Sequence, residues 1–242
     1  MILNDNCLTK EQSSKTIDKN SHIKSFALRQ GRITKGQLQA INDYWPLYGL
    51  NYADEILCIP GIFSNYNKLV LDIGFGSGDS LVVAAQNNPD INFIGIEVNK
   101  SCVGLALKKI HQARLKNVKI FNYDAVLVLK HMIPANSLAA IQIFFADPWH
   151  KARHNKRRLL QASFIELISE KMLKNSYLHF ATDWFEYKDH VFDLLNNYLN
   201  FKLEGLFKNA ETRPRGRPLT KFEQRGIDLN YDIWDMVYRF DG

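Results

Sequence analysis

The residues best suited to chemistry lie in one short stretch of the chain. An apolar run typical of a strand, Ile141 to Ala146, leads into the turn Asp147-Pro148-Trp149. A strand end that exposes one carboxylate and one large flat ring can hold a planar base. Trp149 could stack on such a base, or it could shape the pocket as part of the core. The turn therefore predicts a binding site for a planar ring.

A dense group of cations follows this turn directly. Five of the eight residues from Lys151 to Arg158 are Lys or Arg, and no acid stands among them. Cations at this density repel one another unless they meet a polyanion. A solvated loop that is incidentally basic is the alternative for a charge run by itself. The adjoining Asp147-Pro148-Trp149 turn favours the polyanion.

Composition limits the class of protein. The 242 residues, 46% of them apolar, suffice for one large α/β domain or two small ones. The net charge of +6 is modest, so the clustering of the cations says more than their excess. No apolar stretch has the length of a membrane span, and the first residues lack the apolar segment of a signal peptide. We therefore expect a cytoplasmic protein that makes no membrane contact.

Metal chemistry is not expected. The three cysteines are scattered and never form C-x-x-C, and the seven histidines include no H-x-H or HExxH. His150 and His154 are four residues apart, but they stand among cations, which is a poor setting for a metal ion.

Strands and helices that alternate along the chain must position these residues. We predict strands over 69–73, 91–96, 118–123, 138–146 and 177–181, each followed by a helix, over 79–86, 99–115, 125–132, 159–173 and 185–199. Residues 201–207 and 234–240 close the sheet as an antiparallel pair. This order predicts an α/β fold, with a mostly parallel seven-stranded sheet and helices on both faces.

The chain before the first of these strands is organised differently. Residues 1–24 are polar and without an apolar period, which predicts a disordered tail. Residues 25–60 form an arm with a helix over 37–48, and residues 26–36 read as either a surface arm or a lid. One domain then extends from 61 to 242.

Acids stand at the carboxyl ends of successive predicted strands, where doubly wound sheets bind their ligands. They are Asp72, Glu97, Asp124, Asp147 and Asp183. Each acid by itself is as consistent with a helix cap as with a ligand contact. Five in the same place favour a ligand site.

A glycine-rich turn after the first strand restricts the class of ligand that can bind at this edge. Its spacing, Gly74-x-Gly76-x-Gly78, differs from the G-x-G-x-x-G of dinucleotide sites, and Asp79 would repel a pyrophosphate. S-adenosylmethionine, which is cationic and has no phosphate, fits better. A flavodoxin-like sheet without a nucleotide is the alternative.

The acids can be assigned to parts of that cofactor. Glu97 can accept both ribose hydroxyls, Asp124 is placed to meet the adenine amino group, and Asp72 can face the methionine ammonium group through water.

With these residues together, the chain resembles the bacterial tRNA (guanine-N(7)-)-methyltransferase family from about Ser25 to Phe240. The motifs that carry the resemblance are 29–32 (RQGR), 72–76 (DIGFG), 95–98 (GIEV), 147–158 (DPWHKARHNKRR), 181–184 (ATDW) and 217–226 (RPLTKFEQRG). The long basic motif and the Thr-Lys-Phe-Glu motif are the most specific.

The resemblance implies a Rossmann-like methyltransferase domain over 61–242 that transfers a methyl group from S-adenosylmethionine to N7 of a guanosine in the variable loop of tRNA. It implies that Asp147 is catalytic. The cofactor-binding residues are then Asp72, Gly74, Gly76, Gly78, Glu97, Asp124 and Asp147. The substrate-binding residues are Lys151, Asp183, Thr220, Lys221, Phe222 and Glu223, and the RNA-contacting residues are Arg153, His154, Asn155, Lys156, Arg157 and Arg158.

Two positions depart from the family pattern. Asp72 stands where Glu is common, and the shorter side chain favours a bridging water. Ala146 stands where we expect Pro, which removes a rigid φ angle but no functional group. The assignment survives both changes.

A second basic stretch, Arg213 to Pro218, precedes the Thr-Lys-Phe-Glu motif. Its prolines and glycine make it extended, and we expect it to fold back over the carboxyl edge of the sheet and complete the pocket. A flexible linker with incidental charge is the alternative.

Three other functions stay open on the residues alone. They are a methyltransferase that acts on an amino group, a nicotinamide oxidoreductase, which Asp79 disfavours, and a tRNA-binding protein without catalysis. We expect a monomer or a homodimer that acts without a metal.

Overall fold

Eight strands form one sheet in the computed structural model, which describes residues 23–27, 32–214 and 216–242. The strands are β1 (Gly49–Leu50), β2 (Lys68–Ile73), β3 (Ile91–Ile96), β4 (Val118–Phe121), β5 (Leu138–Phe144), β6 (Met172–Thr182), β7 (Phe201–Lys208) and β8 (Trp234–Phe240). Their order in the sheet is β1-β4-β3-β2-β5-β6-β8-β7. β8 runs antiparallel to β6 and β7, as predicted, and the other pairs are parallel.

The prediction of seven strands is wrong by one. The additional strand, β1, has two residues and pairs in parallel with β4 at the edge of the sheet. A strand of this length carries no period of apolar residues that a sequence pattern could show.

Eight α-helices connect and flank these strands within the described residues. They are α1 (Lys35–Tyr48), α2 (Ile59–Phe63), α3 (Asp79–Asn87), α4 (Lys100–Gln112), α5 (Ala125–His131), α6 (Ala162–Lys171), α7 (Phe185–Asn196) and α8 (Lys221–Asp228). Two of them, α2 and α8, are absent from the predicted set. α8 has a local signal, because Thr220 and Glu223 have the spacing of a capping box.

The core lies on both faces of the sheet, which confirms helices on both sides. Side chains alternate along β2, so that Leu69, Leu71 and Ile73 pack on the face covered by α5, α6 and α7. Val70 packs on the opposite face with α3 and α4. The carboxyl ends of the parallel strands consequently open between the two helix layers.

The predicted helix of the arm is confirmed as α1, which packs on α4. A capping box between Thr34 and Gln37 begins it. Gly104 of α4 permits the close approach, since a Cβ atom there would lie 2.6 Å from the Gln37 carbonyl oxygen. The boundary at residue 60 stays a prediction, and the tail over 1–24 lies outside the described residues except for Ile23 and Lys24. Among the described helices, none has the length and hydropathy to cross a membrane.

Candidate active site at the carboxyl edge of the sheet

The glycine turn between β2 and α3 adopts a backbone that other residues rarely take. Gly74, Gly76 and Gly78 have φ angles of 79°, 56° and 79°. The Gly76 N–H donates a hydrogen bond to Glu97 Oε2 at 3.0 Å. The turn after β2 is thus joined to the end of the neighbouring strand, β3.

Glu97 is fixed at the end of β3 by backbone groups. Its Oε1 accepts a hydrogen bond from the Asn99 N–H at 2.8 Å. Burial raises the pKa of Glu97 although these N–H groups oppose the shift, and the nearby charge of Asp147 adds to the rise. The carboxylate borders a cavity of about 260 Å³ that the glycine turn also lines. Each carboxylate oxygen has a second lone pair, so the group fits a pair of ribose hydroxyls.

Asp72 is a buried acid with an unsatisfied oxygen. The residue is 2% exposed, and its Oδ2 has no hydrogen-bond partner within the described part of the chain. Burial, with a contribution from the charge of Glu97, raises the pKa of Asp72 to about 7. A second cavity, of about 370 Å³, borders this residue. An orphaned carboxylate oxygen is costly, so this site fits the ammonium group of S-adenosylmethionine.

Asp124 acts as a helix cap. Its Oδ1 accepts a hydrogen bond from the Val126 N–H at 2.9 Å at the start of α5. The neighbouring residues Tyr123 and Ala125 line the cavity beside Glu97. The structure thus supports the cap, and the contact with the adenine amino group stays a prediction.

The Asp147 turn is strained and is held by a buried cation. Phe145 and Trp149 have φ angles of 56° and 50°, which non-glycine residues rarely adopt. Arg158, only 5% exposed, donates from Nε to the Pro148 carbonyl at 2.9 Å. Its Nη1 donates to the Glu186 carbonyl at 3.2 Å. The prediction that Arg158 contacts RNA is therefore corrected: its guanidinium group faces inward and fixes the turn.

Asp147 stands where two cavities meet. The residue is exposed and borders the cavity that Glu97 lines. It also borders a cavity of about 640 Å³ that contains Trp149, Lys151 and Phe222 among its lining residues. One side chain can thus face both a cofactor and a second ligand.

The basic block has a solvent-facing part and an inward-facing part. It forms a 3-10 helix over Ala152–Arg157, with Lys151, Arg153 and Lys156 exposed. Arg157 is half-buried instead and donates to the carbonyls of Lys24 at 3.2 Å and of Phe26 at 3.1 Å. Three cations therefore remain for an outside polyanion.

Two other residues of the same block, Asn155 and His154, are less exposed to solvent than a direct contact with RNA predicts. Asn155 is half-buried, and its Oδ1 is enclosed without a hydrogen-bond partner in the described part of the chain. His154 lines the Asp147 cavity with its ring edge-on to Trp149 at 5.9 Å. Their contacts with RNA stay predictions.

The described part of the arm lines the cavity beside Glu97, which we call the cofactor cavity. Ser25, Phe26 and Ala27 line it, and the Trp149 indole Nε1 donates to the Ser25 carbonyl at 2.9 Å. Arg157 lies 3.7 Å over the Trp149 ring. For Phe26 and Ala27 these contacts favour the lid over the surface arm, and for Trp149 they favour the pocket-shaping role over free stacking. Residues 29–31 of the RQGR motif lie outside the described residues.

The Thr-Lys-Phe-Glu motif begins α8 and divides its four residues between two roles. Thr220 caps the helix, and its Oγ1 accepts from the Glu223 N–H at 3.0 Å. Lys221 and Phe222 are exposed and line the Asp72 cavity. Glu223 is 0% exposed and is bound by Arg217, so its predicted contact with substrate is corrected to a structural one.

Asp183 lies beside the same helix. A Cβ atom on Gly226 of α8 would be 3.6 Å from Asp183 Oδ2. Burial raises the pKa of the half-buried Asp183, while the charges of His150 and Arg225 oppose the shift. Its substrate contact stays a prediction. No group of three or more potential ligands that could hold a metal occurs among the described residues.

Comparisons with known proteins decide the family. Residues 66–236 match the protein family described as a putative methyltransferase. The tRNA (guanine-N(7)-)-methyltransferases of Escherichia coli strain K12 and Shewanella halifaxensis are each 44% identical over 216 residues. The match covers 89% of this chain, with 90% of the first protein and 91% of the second. This chain belongs to the tRNA (guanine-N(7)-)-methyltransferase family.

More distant solved structures share the fold of this methyltransferase. The 16S rRNA methyltransferase KamB superposes with a TM-score of 0.60 at 14% identity, over 81% of this chain and 99% of that chain. A SAM dependent methyltransferase from Aquifex aeolicus superposes with a TM-score of 0.50 at 15% identity, over 75% of this chain and 87% of that chain. The α/β methyltransferase fold is confirmed, and S-adenosylmethionine is the methyl donor.

The raised pKa of Asp72 predicts how cofactor binding depends on pH. If the ionised carboxylate receives the ammonium group, binding must first deprotonate Asp72 at low pH. We expect the dissociation constant of S-adenosylhomocysteine, which retains that ammonium group, to fall as the pH rises from about 6 to about 7.5. Isothermal titration calorimetry of the Asp72→Asn variant should show weaker binding without this pH dependence.

Asp79→Asn is the matched control. Burial tends to raise the pKa of Asp79, but hydrogen bonds from Lys109 and Ser77 outweigh it, so the net pKa is lowered. This carboxyl stays ionised over the tested range, and the variant should keep the wild-type pH dependence. An unchanged pH dependence in Asp72→Asn would show that another group titrates.

Proposed function

We propose that the protein transfers the methyl group of S-adenosylmethionine to N7 of a guanosine in the variable loop of tRNA. The observation that carries this proposal is the position of Asp147, which borders the cofactor cavity and the larger cavity beside the basic block. The family relationship supports guanine N7 as the target atom. The variable loop follows from the resemblance of the motifs.

The reaction places few demands on proton transfer. Guanine N7 carries an in-plane lone pair and no proton, so no base has to act before the attack. The bound cofactor supplies an electrophilic methyl group on a sulfonium centre. What the protein must do is orient the nucleobase, and orientation of this kind can supply roughly 7–11 kcal/mol of the barrier.

Asp147 is the residue that the geometry offers for this task. Its carboxylate can accept hydrogen bonds from guanine N1–H and the exocyclic amine, and it can offset the positive charge that methylation leaves on the purine. The strained turn and the buried Arg158 hold the carboxylate at the junction. Asp147 therefore positions the base and stabilises the developing charge.

The exposed cations supply the contact with the rest of the tRNA. A guanine in folded tRNA must leave its neighbours to enter the cavity, which costs a few kcal/mol. Lys151 lines that cavity, and Arg153 and Lys156 are exposed in the basic block beside it, so phosphate contacts from these three cations can offset this cost. A cytoplasmic location, a reaction without a metal, and a monomer or homodimer stay predictions.

The product of the reaction tests this function. The protein is incubated with labelled S-adenosylmethionine and an unmodified tRNA transcript, which is then digested to nucleosides and analysed by mass spectrometry. We expect 7-methylguanosine, and no label in a transcript whose variable-loop guanosine is replaced by adenosine. Label on an exocyclic amino group would support an amino methyltransferase, and label at another guanosine would move the target site.

The salt dependence of tRNA binding tests the basic block. In the Arg153→Ala/Lys156→Ala variant, binding to every tRNA should weaken about equally. The slope of log affinity against log salt should become less steep by about 0.7–0.9 for each lost contact. Titrations at several salt concentrations measure it.

Lys68→Ala/Lys116→Ala removes the same charge at the opposite, amino edge of the sheet, where both lysines are exposed. This control should keep the wild-type slope. Equal slopes in all three proteins would show that the basic block makes no phosphate contacts and is an incidentally charged, solvated loop.

A further inference from the structure

A buried network of charges lies beneath the first turn of α8. Glu223 accepts hydrogen bonds from Arg217 Nη1 at 2.6 Å and from Arg213 Nη1 at 3.1 Å. Arg217 Nη2 also donates to Asp235 Oδ2 at 2.7 Å, and Asp235 Oδ1 lies 2.7 Å from His179 Nε2. Because Asp235 is on β8 and His179 is on β6, the network ties α8 to two strands of the sheet.

This network determines where a short helix lies. α8 has eight residues, which is too few to be stable by itself. Glu223 belongs to the capping box with Thr220 and also binds Arg217, so one carboxylate both begins the helix and docks it. Loss of either partner would unbalance the charges of this buried network, because Glu223 would keep only Arg213 and Arg217 would keep only Asp235. The position of the first turn is therefore closely constrained.

Phe222 is the side chain that this placement presents to the site. It is 55% exposed, and it lines the Glu97 cavity, the Asp72 cavity and the Asp147 cavity. A Cβ atom on Gly76 would lie 3.9 Å from its ring. An aromatic ring with this much exposure gains little from burial, so the backbone beneath it must fix its position.

We propose that Arg217 and Glu223 are positioning residues for the cofactor, and that they act through Phe222. The network holds the first turn of α8 so that the Phe222 ring covers the glycine turn and closes the cofactor cavity. Glu223 itself does not touch the tRNA. The proposal concerns cofactor binding alone, so it does not depend on which nucleoside is methylated.

A purely structural network would give a different result in a double-mutant cycle. The dissociation constant of S-adenosylhomocysteine is measured by calorimetry for the wild type, Glu223→Gln, Phe222→Ala and the double variant. We expect each single change to weaken binding about tenfold, and the double variant to bind no more weakly than Phe222→Ala. Losses that multiply to about a hundredfold would overturn the proposal, as would unchanged affinity in Glu223→Gln.

Two further variants make the test decisive. Arg217→Lys keeps the charge but loses the bidentate contact with Glu223. This variant replaces Glu223→Gln in the test if the Glu223→Gln protein does not fold. The loss of affinity caused by Arg217→Lys should also disappear when Phe222→Ala is already present. Glu204→Gln is the control, because Glu204 forms an exposed ion pair with Arg239 on the same sheet and lies outside the network. We expect it to bind the ligand with wild-type affinity, and a loss equal to that of Glu223→Gln would contradict a specific role.

Discussion

The guanidinium group of Arg158 is the constraint on which the site depends. The chain leaves β5 and turns through two non-glycine residues with positive φ angles, which would relax in a free loop. Arg158 ties the turn to α7, because it binds the carbonyls of Pro148 and Glu186 and lies 5.1 Å over the Tyr187 ring. A cation removed from water needs such acceptors, and the backbone supplies them here. Because Asp147 lies in this turn, the contacts of Arg158 also fix its position.

Charge is distributed around that turn in a way that suits two different ligands. The acids Asp72 and Glu97 are enclosed at the ends of β2 and β3, where they can meet a cationic cofactor. The cations Lys151, Arg153 and Lys156 are exposed in the basic block that follows the turn, where they can meet phosphates. A methyl donor with a positive centre and a polyanionic substrate can therefore each meet a region of opposite charge near Asp147. Ala27 and Phe222 line both the cavity beside Glu97 and the cavity beside the basic block.

Much of this arrangement could be predicted from sequence, and the failures have a common physical cause. Apolar runs such as those of β2 and β3 predict their strands, and acids at strand ends locate the ligand edge. The burial of Arg158 and of the Arg217–Glu223 pair could not be predicted, because it depends on partners distant in sequence, Glu186 and Asp235. Asp79 shows the same limit, since its charge is paired with Lys109 at 2.5 Å and is a weaker argument against a pyrophosphate than the sequence suggests. The start of α8 could have been predicted, because Thr220 and Glu223 have the spacing of a capping box.

The central claim is that Asp147 acts on the methylation step where the two cavities meet. The most direct measurement is a single-turnover methylation assay of Asp147→Asn with saturating cofactor, together with the dissociation constant for tRNA. This substitution keeps the volume of the side chain and removes its charge. The rate constant should fall by about a hundredfold or more, with tRNA affinity within about threefold of the wild type. A near-normal rate constant would contradict the account, and so would a loss confined to tRNA affinity.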